Sequence, residues 1–178
     1  MTVRIWSVGH STRELDELVS LLRHHGVEAV ADVRTVPKSR RHPHFHTDAL
    51  RVSLPERGLR YVHLPRLGGF RRARPDSPNG AWRNASFRGY ADYTQTEEFA
   101  AGLAELRDLA ASAPTAMMCA EAVYWRCHRR LVADRLVAGG DEVLHIETEK
   151  RASPHELSEF AVVEEGRITY PPGGQLSL

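Results

Sequence analysis

Cysteine is scarce in this chain: Cys119 and Cys127 are the only two among 178 residues. Two are too few for a disulfide framework, and free thiols are the default in a reducing compartment. No apolar run approaches the roughly 20 residues that span a bilayer. Residues 1–6 have neither the apolar stretch nor the cleavage site of a signal peptide. A cytoplasmic protein with no membrane partner is therefore expected. Internal repeats and low-complexity tracts are absent, as are helix-turn-helix, zinc-finger and RNA-recognition fingerprints.

What the chain does have is an ordinary globular balance, 42% apolar and 26% charged residues. That suffices for one domain over residues 1–178, with the core in 3–147 and a tail in 148–178. Apolar runs alternate with helical patterns, the arrangement that gives a parallel sheet with helical crossovers. Strands are expected at residues 4–8, 28–33, 59–64, 115–119 and 142–146. Ser11-Thr12-Arg13-Glu14 has capping-box spacing before a helix in which Leu15, Leu18, Val19 and Leu22 share a face. Thr47 and Asp48 suit the start of a short helix that Pro55 and Gly58 end. Phe99, Leu103, Leu106 and Leu109 mark another helix, and residues 125–138 a further one. Residues 66–86 show no period and read as a long loop, either one that binds or covers ligands or a disordered one. Residues 160–163 and 167–170 read as a hairpin turning at Glu165-Gly166. The fold class is thus α/β: three layers, a mostly parallel five-stranded sheet with helices on both faces, and a C-terminal hairpin.

In such sheets ligands sit outside the carboxyl ends of the strands. His10 and Ser11 follow the first strand, Asp32 and Arg34 the second, His63 the third, Cys119 and Glu121 the fourth. The segment from Cys119 to Arg130 leads from a strand end to a helix start that carries Cys127, His128 and Arg129. Helix N–H groups and cationic neighbours there can stabilise a thiolate. The interval from Cys119 to Arg126 does not match the phosphatase spacing of Cys, five residues, Arg. The bland reading makes Cys119 a buried strand end and Cys127 a helix packer. A metal site of Cys119, Cys127 and His128 with His10 or His63 is a third reading, although the close cysteine pairs of structural zinc are missing.

Net charge is only +1, yet between Arg34 and Arg88 thirteen Lys/Arg face three acidic residues, a local excess of +10. Residues 141–165 are acidic in turn. The basic stretch suits an anionic partner or a solvated surface equally. Lys38, Arg40, Arg41 and Arg71, Arg72, Arg74, with Phe70, Trp82 and Phe87 nearby, offer phosphate contacts beside stacking surfaces.

From about residue 5 to 146 a series of motifs resembles the bacterial and archaeal family known as domain of unknown function 488. They are Val8-Gly9-His10-Ser11-Thr12, Asp32-Val33-Arg34, Tyr61-Val62-His63-Leu64-Pro65 with Leu67-Gly68-Gly69, Phe87-Arg88-Gly89-Tyr90-Ala91-Asp92-Tyr93, Met118-Cys119-Ala120-Glu121 and Cys127-His128-Arg129. The resemblance implies an α/β fold with a polar constellation suited to enzyme work, and no general activity. It marks His10, Ser11, Asp32, Arg34, His63, Arg88, Tyr90, Cys119, Glu121, Cys127, His128 and Arg129 as site candidates. The leading expectation is an enzyme acting on a small anionic or nucleotide-like substrate. Cys119 would be nucleophile or redox thiol, with Glu121, His10, Asp32 and His128 completing the catalytic set. Ser11, Arg34, His63, Arg88, Tyr90, Cys127 and Arg129 would hold substrate. The alternative is a nucleic-acid-binding accessory protein that uses the basic loops of residues 34–88. The residues select no cofactor.

Overall fold

The continuous apolar runs become strands buried on both faces. In the computed structural model, which describes residues 1–173, β1 (Arg4–Gly9), β2 (Ala29–Asp32), β3 (Arg60–His63), β4 (Thr115–Cys119) and β5 (Glu142–Thr148) run parallel in the order β3-β2-β4-β1-β5. The connections carry α1 (Leu15–His24), α2 (Thr47–Glu56), α3 (Ala85–Tyr93), α4 (Glu97–Ser112) and α5 (Arg129–Ala138). Successive side chains of a strand point to opposite faces. Val30, Ala116 and Met118 therefore pack with Leu18 and Leu22 of α1 and Leu50 and Leu54 of α2. Ile5, Ala31, Met117 and Cys119 pack on the other face with Leu106 of α4 and Leu131 and Val132 of α5. Among the described residues, no helix is long and apolar enough to cross a membrane.

The sheet is one strand wider than the sequence predicts. β6 (Arg151–Pro154) pairs antiparallel with β5 at the edge. Its four residues, Arg-Ala-Ser-Pro, lack apolar alternation, and an edge position tolerates the proline because one side of the strand has no ladder to complete. The hairpin falls where the sequence places it, as β7 (Val162–Glu164) and β8 (Arg167–Thr169), with Glu165 and Gly166 both at positive φ in the turn. Ile168 and Tyr170 bury it in the layer that contains α5.

Two helix starts differ from expectation. Ser11 does not cap α1: it sits at φ 52°, and Glu14 is the capping residue, in a reciprocal box with Glu17. A Glu pair thus performs the role predicted for Ser11 and Glu14, one helical turn later. Residues 125–138 are not one helix either. Tyr124–Arg126 forms a 3-10 turn, after which the chain straightens at Cys127 and α5 begins at Arg129. The break leaves Cys127 in extended backbone two residues ahead of α5.

The crossovers position the site. β1 and β4 are neighbours, but β1 leads to α1 on one face and β4 to α5 on the other. A chain leaving two adjacent strands in opposite directions opens a crevice at their carboxyl ends. The loop after β4 folds across the end of β1, so that a Cβ on Gly9 would lie 1.8 Å from the carbonyl oxygen of Glu121. Only glycine permits that approach.

Candidate functional site

At the crevice floor, Arg129 is the largest fully buried side chain, 1% exposed. Its Nε donates to Cys119 Sγ at 3.0 Å, Nη1 to Ser7 Oγ at 2.6 Å and Nη2 to the Glu121 carbonyl at 2.6 Å. Among the described residues no carboxylate pairs with it. A buried cation without a counter-charge is strongly unfavourable, and the ionisable groups that favour its charge are the two cysteines. Cys119 Sγ and Cys127 Sγ stand 2.7 Å apart, and the backbone N–H of Arg129 donates to Cys127 Sγ at 3.4 Å.

The two thiols are driven in opposite directions. Burial works against ionising Cys127, but the hydrogen bond from Cys119, the Arg129 charge and the Arg129 N–H outweigh it and bring its pKa down to about 7. Cys127 also lies just before the N-terminus of α5, where aligned peptide dipoles favour negative charge. Cys119 keeps its proton: burial and its bond to Cys127 push its pKa well above the ordinary thiol value. Such a pair titrates as a unit.

His128 completes the cluster. Its Nε2 donates to the Val33 carbonyl at 2.7 Å, which fixes the tautomer and leaves the Nδ1 lone pair free. That lone pair is 3.5 Å from Cys127 Sγ. Burial lowers the pKa of His128 and keeps the ring neutral. Tyr90 packs against the ring with centroids 5.1 Å apart and donates its hydroxyl to the Leu67 carbonyl, tying the 65–70 loop to the wall.

The carboxyl end of β2 carries a second cluster. Arg34 grips both oxygens of Asp32, Nε to Oδ1 at 2.9 Å and Nη2 to Oδ2 at 2.7 Å, while Tyr61 donates to the same Oδ2 at 2.6 Å. His10 Nδ1 donates to the Ser11 carbonyl at 3.0 Å, so Nε2 is the acceptor facing Arg34 Nη1 at 3.2 Å. Burial, aided by the Arg34 charge, lowers the His10 pKa to about 4. Asp32 is fully buried in these contacts and His10 has no free lone pair. Through Arg34 these contacts tie the end of β2 to Phe45.

Above both clusters lies a cavity of about 600 Å³. Of the residues named from sequence, His10, Arg34, Tyr90, Cys119, Glu121, Cys127 and His128 line it. Glu121 presents an exposed carboxylate there, and its backbone carbonyl is what Arg129 holds. Ser11, Asp32, His63, Arg88 and Arg129 do not reach the lining. His63 donates to the Arg34 carbonyl and Arg88 to the Trp82 carbonyl. The lining also includes Arg126, and Lys38, Phe70 and Phe87, which the sequence offered only as phosphate contacts and stacking surfaces for a nucleic acid. Lys38 and Arg126 are exposed and have no ion-pair partner among the described residues. Phe70 is 95% exposed and held at φ 60°.

Arg34 and Arg129, expected to hold substrate charge, give four and three of their five side-chain N–H groups to protein acceptors. The basic loops are likewise less available than their composition implies. Arg57 pairs with Asp16, Arg66 with Glu105, and Arg71 stacks on Tyr93 at 3.8 Å. Among the described residues no group of three or more His, Cys, Asp or Glu is placed to hold a metal ion, which removes support from the reading of Cys119, Cys127 and His128 as ligands with His10 or His63.

Neither a curated protein nor a solved structure matches the chain. A family model described as Domain of unknown function DUF488 matches residues 14–136. That stretch takes in both cysteines, His128 and Arg129 and leaves out His10 and Ser11. With well over half of its residues matched, the chain belongs to the DUF488 family.

Proposed function

We propose that the chain is a thiol-dependent enzyme acting on a small anionic substrate, with Cys127 as the attacking thiolate. The observation that carries this reading is that the Cys127 sulfur lines an open cavity within 2.7 Å of the Cys119 sulfur and accepts from the Arg129 N–H, the surroundings that favour its anion. The thiolate is the nucleophilic form of cysteine. Lys38 and Arg126 are the cations free to meet a phosphate or carboxylate, and Phe70 and Phe87 offer faces for a planar, nucleotide-like group. In a group transfer, Cys127 bonds to the electrophilic atom and the leaving group departs with its electron pair. His128 Nδ1 then takes a proton from the acceptor, water or a second substrate, that displaces the group and restores the thiolate. Cys119, assigned the nucleophilic role from sequence, here supplies the hydrogen bond. Glu121 stands where it can contact substrate or carry a proton.

In the reduced protein, iodoacetamide should modify Cys127 with a pH midpoint near 7 and leave Cys119 unmodified through pH 8. Trypsin cuts after Arg126, so mass spectrometry of the digest reads each cysteine separately. Two cysteines that react alike, and only in the ordinary thiol range, would defeat the proposal.

Inorganic phosphate should protect Cys127 from alkylation. With Lys38→Glu and Arg126→Glu combined, the concentration needed should rise about tenfold or more, since exposed charge contacts contribute about 0.5–1 kcal/mol each. Equal protection in both proteins would remove these two residues from the binding role.

A further inference from the structure

The cluster contains more than a nucleophile requires. A single thiolate beside Arg129 would suffice for group transfer, yet a second thiol touches it in a cavity open to small solutes. We propose that Cys119 and Cys127 form a reversible intramolecular disulfide on reaction with a hydroperoxide, so that the pair is an oxidation site in its own right.

Geometry supports each step. The sulfurs are within 2.7 Å, so the second thiol reaches the first without rearrangement of the fold. Cys119 ends a central strand, whereas Cys127 follows a 3-10 turn whose flanking residues Ala120, Glu121 and Ala122 are exposed. Closing the bond therefore asks movement of the turn rather than of the sheet. A cavity of about 600 Å³ admits a hydroperoxide easily, given that a liquid water takes up about 30 Å³.

The chemistry balances in two steps. Cys127 thiolate attacks the terminal oxygen of the hydroperoxide and the O–O bond breaks. The alkoxide leaves with the electron pair, takes a proton from water and becomes the alcohol, while Cys127 becomes a sulfenic acid. Cys119 sulfur then attacks the Cys127 sulfur and the S–O bond breaks. Hydroxide leaves with that pair and combines with the Cys119 proton to give water. The sulfurs lose two electrons and the peroxide gains them. Oxidation also removes the anion that balances Arg129, which stays fully buried. The reduced form is thus electrostatically favoured, and a small dithiol should restore it readily.

The inference needs the Cys127 thiolate but no substrate. The test uses the full reduced chain with one equivalent of hydrogen peroxide, followed by intact mass and a tryptic map without reductant. The expected result is loss of two hydrogens per monomer, loss of both titratable thiols, and a Cys119 peptide ending at Arg126 linked to the peptide Cys127-His128-Arg129. Dithiothreitol should reverse all three, and Cys119→Ser should leave a sulfenic acid on Cys127 that dimedone traps. Cys127 driven to sulfinic acid with Cys119 untouched, a disulfide between chains, or thiols that survive peroxide would each overturn the pairing. If Cys127 alkylates near pH 7 while one of those outcomes holds, only the disulfide fails and the thiolate proposal stands.

Discussion

Replacing Arg129 with methionine should cost the fold about 3 kcal/mol and move the alkylation midpoint of Cys127 up by at least one pH unit. Arg129 is the hub of four hydrogen bonds: its backbone N–H serves Cys127 Sγ, and its guanidinium serves Ser7 Oγ, Glu121 O and Cys119 Sγ. Methionine leaves the Ser7 and Glu121 acceptors buried without donors, each a loss of about 1–3 kcal/mol. Removing one member of a buried charge pair typically costs about 3–5 kcal/mol. The figure here falls at the low end because the thiolate can recover its proton. Arg129→Lys separates charge from geometry: the cation remains, but a single ammonium cannot reach three acceptors arranged for a fork. It should lose stability yet keep most of the midpoint shift. Urea unfolding in reductant measures the first effect, and pH-resolved alkylation the second. A methionine variant whose Cys127 titrates like the parent's would show that the cation does not hold the thiolate.

The same cluster shows what a sequence reveals and what it hides. β4 is legible to the residue because a central strand is apolar on both faces. β6 is not, because an edge strand can be polar and carry a proline. The convergence of His10, Arg34, Cys119, Cys127 and His128 on one cavity follows from strand ends, a rule of topology that needs no coordinates. Which arginines are free does not follow. Arg129 meets Ser7 across 122 residues of chain, and Arg34 meets the Phe45 carbonyl across 11. Such partners are set by packing, so the sequence cannot tell a guanidinium engaged by the protein from an available one. Ser7 offered a faint signal, a lone hydroxyl inside the run Ile5-Trp6-Ser7-Val8. Lys38 and Arg126 offered none that separates them from other surface cations. The network around Asp134, which accepts from His155, Ser158 and Tyr170, joins α5 to the tail and was equally hidden, since its members are scattered from 134 to 170.

Lowering the pH from 7.5 to 5 should remove about 4 kcal/mol of stability, a large share of the 5–15 kcal/mol that a domain commands. Two histidines held neutral in the fold are responsible. His10 is 2% exposed and has a pKa of about 4, chiefly through burial and, among charges, through Arg34 and His42 against the opposing pull of Asp32. His145 is 3% exposed and has a pKa of about 2, through burial and then the nearness of His155 and Arg129. Its Nε2 donates to His155 Nδ1 at 2.8 Å, because His155 Nε2 donates in turn to Asp134. Its Nδ1 has no partner, and Tyr124 stacks on the ring at 3.5 Å. A proton added there would create a buried N–H with nothing to accept it. The ordinary histidine pKa is 6.5, so below that value the unfolded chain takes up protons that the fold refuses. The contribution is therefore complete above about pH 6.5 and declines as pH falls, to about pH 4 for His10 and further for His145. Each group costs about 1.4 kcal/mol per pH unit, hence about 2 kcal/mol apiece at pH 5, and His128 acts in the same direction. Urea unfolding across this range should show a slope near two protons bound on unfolding at pH 5, falling by about one in His145→Gln, whose amide can still donate to His155. Stability that stays flat from pH 7.5 to 5 would mean that these rings accept protons in place, and that Arg34 and Arg129 are not the fixed charges around which both clusters are built.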